Sequence, residues 1–384
     1  MACAISVYSF AFIMFSRFLI GITIGIYSAV VPIYLGEISP VNSRGIIGMV
    51  PQLFLSLGVL LAQVLALREV MGTLEGWSII MCLSGFLALF QFIIVSDFPD
   101  SPRYLLIQRN NEEEARKALK ELHGRVDIEA EIQELRQEDL FEYDEEKDMN
   151  ALMILCYPHL RWQVLSIIIL MSSQQLSGVN AVYYYTERLY QATDIGTENV
   201  RYVSLASTIL IFISILVGIR IVDLKGRKIL LLIGFGVSSV LCVVLTITIE
   251  LQKNTWVAII NSFLINVFLT GHAAGPSSLA FLLISELFLQ PSRSSAYVVG
   301  GFVHWVLHLF MVITYMELPP YVRAYSFLVC FPICVATFVY VYTMVPETRG
   351  LTFLEIRRTM TCYGAKRGNI HRDSCRTELV NPSS

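Results

Sequence analysis

Apolar residues run through this chain in blocks too long for the strands or helices of a water-soluble domain. After a short apolar stub at residues 2–15, uninterrupted runs follow at about 18–35, 46–67, 77–97, 162–185, 202–222, 229–250, 256–285, 296–318 and 325–345. Each approaches or exceeds the roughly 20 residues that a helix needs to cross a bilayer, so nine spans and one stub are predicted. The one long charged stretch, residues 100–150, has another period. Ala115, Leu119 and Leu122 recur at helical spacing, as do Ile128, Ile132 and Leu135, which predicts amphipathic helices lying against the membrane domain. Residues 360–384 are polar and expected to be disordered.

The run at 162–185 is unlike its neighbours. It carries Gln174-Gln175-Leu176-Ser177-Gly178-Val179-Asn180, followed by Tyr183, Tyr184 and Tyr185. Amides in hydrocarbon lose their water and are tolerated only where something replaces it, and polar groups at this depth commonly mark a pathway. These are neutral and each offers both donor and acceptor, which suits the adjacent hydroxyls of a polyol, while tyrosine rings suit its flat C–H face. At about 100° per residue, Gln175 and Asn180 point roughly 140° apart on a straight helix. An unwound turn at Gly178 would bring them together, as in the discontinuous helices of transporters. The competing reading is interhelical hydrogen bonding, at about 0.6–2 kcal/mol per contact; three amides within seven residues exceed what one such contact needs.

Composition agrees with a membrane protein: 55% of residues are hydrophobic and 15% charged. The net charge of −3 gives no reason to invoke nucleic acid. Of eight cysteines, Cys3, Cys82, Cys242, Cys330 and Cys334 fall inside apolar runs and read as small buried hydrophobes, not as a disulfide framework. No metal cluster, nucleophile–base pair or phosphate loop is visible, so neither a cofactor nor an enzymatic activity is expected. When loops alternate across the membrane, 22 of the 28 Lys and Arg fall on the side of residues 100–150, which places that side and the C-terminus in the cytoplasm.

An internal repeat is present. Glu37 and Arg44 are seven residues apart, as are Glu286 and Arg293, and the two copies are offset by 249 positions. Pro99-Asp100-Ser101-Pro102-Arg103 and Pro346-Glu347-Thr348-Arg349 close two spans at nearly the same offset. Parallel repeats of this kind mark one large transporter architecture. The same offset puts the counterpart of Asp223-Leu224-Lys225-Gly226-Arg227-Lys228 before Met1. The N-terminal half is therefore expected to lack its first two spans and most of its third.

With these motifs in order, the chain resembles the facilitative hexose (sugar) transporters of the major facilitator superfamily. The matching pieces are Arg17 to Gly21, Gly25 to Pro32-x-Tyr34-x-Gly36-Glu37, Arg44-Gly45, Pro102-Arg103, Gln174-Gln175-x-x-Gly178-x-Asn180, Asp223-x-x-Gly226-Arg227-Lys228, Glu286 and Pro346-Glu347-Thr348-x-Gly350-x-Thr352-Phe353. Gly271-His272-Ala273 and His304-Trp305 are similar to the fructose-preferring branch. The resemblance implies an all-α membrane bundle: an incomplete N-terminal bundle at 1–97, a cytoplasmic helical segment at 98–161, a six-helix C-terminal bundle at 162–345 and a cytoplasmic tail at 346–384. It implies uniport of a hexose, fructose ahead of glucose, in the plasma membrane. Sugar would meet Gln52, Gln174, Gln175, Asn180, His272, Ser277 and Trp305, while His304 is expected to pack. Glu37 with Arg44, Glu286 with Arg293, and Arg103, Arg227, Glu347 and Arg349 would form cytoplasmic ion pairs that open and close with the mouth. Where the family often has prolines after Gly275-Pro276, this chain has Ser278 and Ala280; Phe281 stands at a cavity position and would narrow it, and Ile211 and His308 each replace a cavity asparagine. Two other readings stand beside uniport: a carrier of urate or another small solute, and a non-transporting fragment that is retained inside the cell or pairs with a full-length carrier.

Overall fold

The computed structural model describes residues 10–40, 43–124, 128–140, 149–183, 199–251, 255–317 and 325–368. Among them, nine helical stretches are long and apolar enough to cross a membrane, and no strand is present. Three precede the charged segment: α1 (Phe10–Ile38), α2 (Arg44–Leu65) and α3 (Leu74–Val95). The described part of the stub, residues 10–15, and the first run, expected as separate pieces, are one helix. At 1.5 Å per residue its 29 residues reach about 43 Å, so exposed Arg17, about two turns in, can extend toward the headgroups. Phe12, Phe15, Phe18, Phe86, Phe90 and Phe92 point outward from α1 and α3, as a surface facing lipid requires.

Within the charged segment, the described residues 112–123 and 129–140 fold as the amphipathic period predicts. Helices α4 (Glu112–His123) and α5 (Glu129–Leu140) bury Ala115, Leu119, Ile128, Ile132 and Leu135 against Leu105, Leu106 and Ile107 in a small separate core. Asn111 caps α4 by accepting from Glu114 N–H at 3.2 Å, and three glutamates in the first turn complement the positive end of the helix dipole. A short helix, α6 (Ala151–Cys156), leads back to the membrane.

The remaining spans are α7 (Arg161–Leu176, continuing as 179–183 after a break), α8 (Val200–Lys225), α9 (Arg227–Glu250), α10 (Thr255–His272) with α11 (Ser278–Leu287), α12 (Gln290–Glu317) and α13 (Ser326–Met344). Two apolar cores lie along this half. One gathers Ile167, Leu230, Phe235, Leu283 and Tyr297; the other gathers Val182, Ile215, Cys242, Phe268 and Phe327. The expectation of disorder from residue 360 is corrected for its first part. Helix α14 (Phe353–Gly368) continues through that point, because Ile356 and Met360 are apolar at helical spacing and bury themselves in the first core. Residues 369–384, like Tyr184 and Tyr185, lie outside the described residues.

Candidate functional site

The site is built on two helix breaks. In α7 the regular helix stops at Leu176, turns through Ser177 and Gly178, and resumes at Val179. Gly178 has φ +93°, a region where a side chain is strained and glycine is not. A break frees carbonyl groups that must find donors. The Ser177 carbonyl is approached by the Cys334 and Cys242 thiols at 3.6 and 3.8 Å, weak donors supplied by α13 and α9. Both cysteines are buried and free, as their apolar surroundings in sequence led one to expect, and each thiol here also turns toward a carbonyl. The Ser177 hydroxyl donates to Gln174 O and lies 2.9 Å from His272 Nε2.

The second break joins α10 to α11. Residues Ala273–Ser277 form a π-turn that contains Pro276, which lacks an N–H to continue the ladder. Gly275 lets this turn lie against α9, since a Cβ there would meet the Leu230 carbonyl at 2.6 Å. The turn exposes both polar groups of Ser277. Its hydroxyl accepts from Gln52 Nε2 of α2 at 3.3 Å, and its carbonyl accepts from Gln174 Nε2 at 3.3 Å. Such π-turns recur at functional positions.

Between the breaks the amides converge. Asn180 Nδ2 lies 3.1 Å from Gln175 Oε1, so the turn at Gly178 does bring together two side chains that a straight helix would separate. His304 and His308, one turn apart on α12, close the other side. His304 Nδ1 is 3.1 Å from both Gln174 Oε1 and Gln175 Nε2, and His308 Nδ1 is 3.1 Å from Gln175 Oε1. The two imidazoles stack with centroids 6.4 Å apart, Trp305 stands edge-on to both, and Phe281 meets His304 edge-on at 5.1 Å. Trp305 is 38% exposed, and its indole N–H reaches Ser28 of α1 at 3.4 Å.

Gln52, Gln174, Gln175, Asn180 and Ser277 therefore form one connected network, with Trp305 at its edge. His272 stands apart from the amides: it is 3% exposed, engages Ser177 and stacks on Phe268. Its partners are Ser177 of the broken turn and the Phe268 ring, not the side-chain amides that the resemblance grouped it with. His304, expected only to pack, is a hydrogen-bonding member of the network. The i, i+4 spacing of His304 and His308 was the signal that could have shown it. None of these contacts involves a carboxylate, a lysine or an arginine, and among the described residues no cluster could hold a metal ion. An array of amides, hydroxyls and imidazoles can exchange hydrogen bonds with a polyhydroxylated solute.

A second, charged constellation closes the end of the bundle that carries α4 and α5. Where the spacing leads one to expect pairs within each repeat, one pair crosses between the halves, and another joins two helices of the C-terminal half. Arg293 Nη1 bonds Glu37 Oε1 at 3.3 Å, linking α12 to α1, and Glu286 receives Arg227 at 3.0 Å and the Thr348 hydroxyl at 2.5 Å. The reason is geometric: Glu37 and Arg44 stand at the ends of two different helices, and the facing half offers the nearer partner. Arg44, Arg103 and Arg293 instead converge on one ring, Phe353, at 3.7, 4.7 and 4.5 Å, and Arg103 also meets Glu134 at 3.5 Å. Glu347 pairs with no side chain in this set. Its carboxylate accepts from the Arg227 and Lys228 N–H groups at 2.9 and 3.1 Å, capping the positive end of α9. Arg349 donates to the Leu224 carbonyl at 2.7 Å, at the negative end of α8.

Comparison with known proteins places this geometry. The family model described as "Sugar (and other) transporter" matches residues 1–360. Solute carrier family 2, facilitated glucose transporter member 5 of Equus caballus is 42% identical over 357 residues, 92% of this chain and 70% of that protein. The Homo sapiens protein of the same name is 41% identical over 94% of this chain and 72% of its own length. Member 7 of Mus musculus is 38% identical over 94% of this chain and 70% of that protein. Among solved structures, the proton:xylose symporter XylE bound to 6-bromo-6-deoxy-D-glucose, a major facilitator superfamily protein, superposes with a TM-score of 0.75 at 21% identity, covering 88% of this chain and 72% of that one. An inward-open conformation of the xylose transporter from E. coli gives 0.56 at 20% identity.

Proposed function

Because the chain belongs to the sugar transporter family and has the major facilitator fold, we propose that it carries a hexose, fructose ahead of glucose, down its gradient by alternating access. It is a multi-pass membrane protein; the charged end and the tail face the cytoplasm of the plasma membrane in this reading. The observation that carries the proposal is the uncharged network of Gln174, Gln175, Asn180 and Ser277, assembled by two helix breaks inside the membrane domain and tied to the N-terminal half through Gln52. Both breaks expose hydrogen-bonding groups where an unbroken helix would hide them, and every group can act as donor, acceptor or both. A sugar hydroxyl needs that duality.

The charged end supplies the gate. Glu37–Arg293 joins the two halves, and a pair made only when that mouth is shut would favour the shut state by its own free energy and nothing more. Fructose preference rests on His304-Trp305 and Gly271-His272-Ala273, the residues that resemble the fructose-preferring branch.

Uptake of radiolabelled fructose into proteoliposomes tests the reading. Wild-type protein should take up fructose in a saturable manner, without dependence on an imposed proton gradient and with weaker inhibition by glucose than by unlabelled fructose. Gln175→Ala should raise KM strongly. Equal uptake by both proteins would remove Gln175 from the site, and accumulation driven by a proton gradient would replace uniport with symport.

A further inference from the structure

The short helix α6, ahead of α7, presents the wrong surface for water. No Asp, Glu, Lys or Arg occurs between Asp148 and Arg161. At about 100° per residue, Leu155, Leu152, Cys156 and Met153 follow one another around an arc of about 160°, and Ile154 falls outside it. The structure divides the helix in the same way. Ile154 is fully buried in the first apolar core. Leu152, Met153 and Leu155 are 80%, 59% and 45% exposed, and Cys156 is exposed and free. Three large apolar side chains together on one face call for a cover. The neighbours of α6 say what it is. The helix packs against α12 and the start of α7, and Ser295 of α12 donates a hydrogen bond to the Met149 carbonyl just ahead of it. The apolar stretch of α12 is Ser292–Glu317, 26 residues, or about 39 Å of helix against roughly 30 Å of hydrocarbon. Shared between the two ends, the excess leaves about three residues outside at each. Ser295, and α6 beside it, therefore stand at the edge of the hydrocarbon. Val298 and Phe302, one and two turns further along α12, face outward as lipid-exposed residues do. Helix α7 opens with Arg161 over the Trp162 ring at 5.5 Å, and both residue types favour the membrane boundary.

We propose that α6 is a membrane-resting foot: its face of Leu155, Leu152, Cys156 and Met153 lies in the boundary between headgroups and acyl chains of the leaflet at the charged end. The occupant of this face is lipid because the surface continues the lipid-facing sides of the two spans that flank it, α7 and α12. A helix too short to span, apolar on one side and without charge, suits that layer. Acyl chains take its side chains while the polar ends of its backbone reach headgroup water. Ile154 on the opposite side locks the foot to the membrane domain. Ser295, which holds the Met149 carbonyl, is two residues beyond Arg293, the partner of Glu37. The foot thus sets the height of the gate end of α12 against the leaflet, and this contact owes nothing to the chemistry of the sugar site.

Two measurements on the whole chain in lipid nanodiscs decide the matter. In the first, a nitroxide-bearing unnatural residue replaces Leu152 or, separately, Met153, both exposed enough to accept it. Lys117 of α4, whose side chain is 78% exposed, gives the water reference, and Phe302, 70% exposed on α12, gives the bilayer reference. Collision with oxygen, which partitions into lipid, is compared with collision with a water-soluble nickel chelate. The ratio at both α6 positions should be several-fold above that at Lys117 and below that at Phe302. In the second, the unaltered chain is treated with a charged or a lipid-soluble maleimide, and Cys156 is followed by mass spectrometry of its own peptide. Relative to a small thiol in solution, Cys156 should favour the lipid-soluble reagent several-fold. A collision ratio equal to that at Lys117 would mean that the face meets water. Shielding from both oxygen and nickel would mean that a protein surface, from this chain or a second copy, covers it. Either result overturns the proposal, as does a Cys156 that shows no preference between the two maleimides.

Discussion

Glu37→Gln isolates the contact between the two halves at the charged end. Glu37 and Arg293 are buried there, with side-chain exposures of 5% and 0%, and their charged atoms are 3.3 Å apart. Removing one partner of a buried pair typically costs about 3–5 kcal/mol, because the other charge is left uncompensated. Two features reduce that figure here. Arg293 retains a hydrogen bond to the Phe288 carbonyl at 3.0 Å and the Phe353 ring at 4.5 Å, and glutamine keeps a neutral acceptor. About 2–3 kcal/mol should remain. If the pair exists only with the mouth shut, that loss shifts the ratio of shut to open by about 30- to 140-fold, at 1.4 kcal/mol per factor of ten. Spin labels at Phe98 and Leu224, both exposed and on opposite halves, read the shift as a new long-distance population by pulsed electron resonance. The charge-swapped double variant Glu37→Arg with Arg293→Glu should recover part of the short-distance population. An unchanged distance distribution in Glu37→Gln, alongside a lowered Tm, would mean that the pair anchors the fold in every state and gates nothing.

Phe353→Leu keeps apolar volume but removes a ring shared by three guanidinium groups, each contact worth about 0.5–2 kcal/mol; it should open the same end in the same spin-label assay, and no change would deny the ring a part in closure. Gly178→Ala has room, since the nearest atoms to a Cβ there lie 3.4 Å away on Cys330. Its cost is the backbone at φ +93°, about 1–2 kcal/mol, expected as a lower Tm and impaired fructose uptake; a Tm equal to wild type would mean the turn relaxes freely. Arg136 and Arg116 hold the Glu112 carboxyl below its ordinary range through hydrogen bonds, and Arg116 does the same for Glu129. A carboxylate with a lowered folded pKa contributes stability above its unfolded value, near 4.3, and loses it as pH falls through the folded one. Amide protection factors across residues 112–124 and 128–140, with the intrinsic pH dependence of exchange divided out, should therefore be steady at neutral and mildly acidic pH and should fall below about pH 4. Identical protection on both sides of that range would show that the apolar core alone holds the segment.

Much of this protein was legible in one dimension because the bilayer imposes strict rules. A span must be long and apolar, so run lengths disclosed nine of them, and amphipathic spacing disclosed the faces of α4 and α5. The break at Gly178 was legible for a related reason: two amides 140° apart on an ideal helix have no common purpose unless the helix yields between them. Run length failed where apolar character continues without a change of element. Residues 10–15 of the stub belong to α1 because Ser16 and Arg17 interrupt hydropathy without interrupting backbone hydrogen bonding. The tail helix extended past residue 360 because Ile356 and Met360 found a core that local composition could not reveal.

Partnerships, by contrast, belong to three dimensions. The seven-residue spacing of Glu37 and Arg44 marks a repeat, but a repeat packed against its twin exchanges partners, and Glu37 reaches Arg293 across the interface. Cys242 and Cys334 become hydrogen-bond donors only because a carbonyl is freed on another helix. His304 and His308 acquire their roles from amides about 130 positions away. Hydropathy is a property of each residue and sums along the chain, so the membrane architecture was written there. Hydrogen bonding is a property of pairs, and which pairs form depends on how the helices are set against one another.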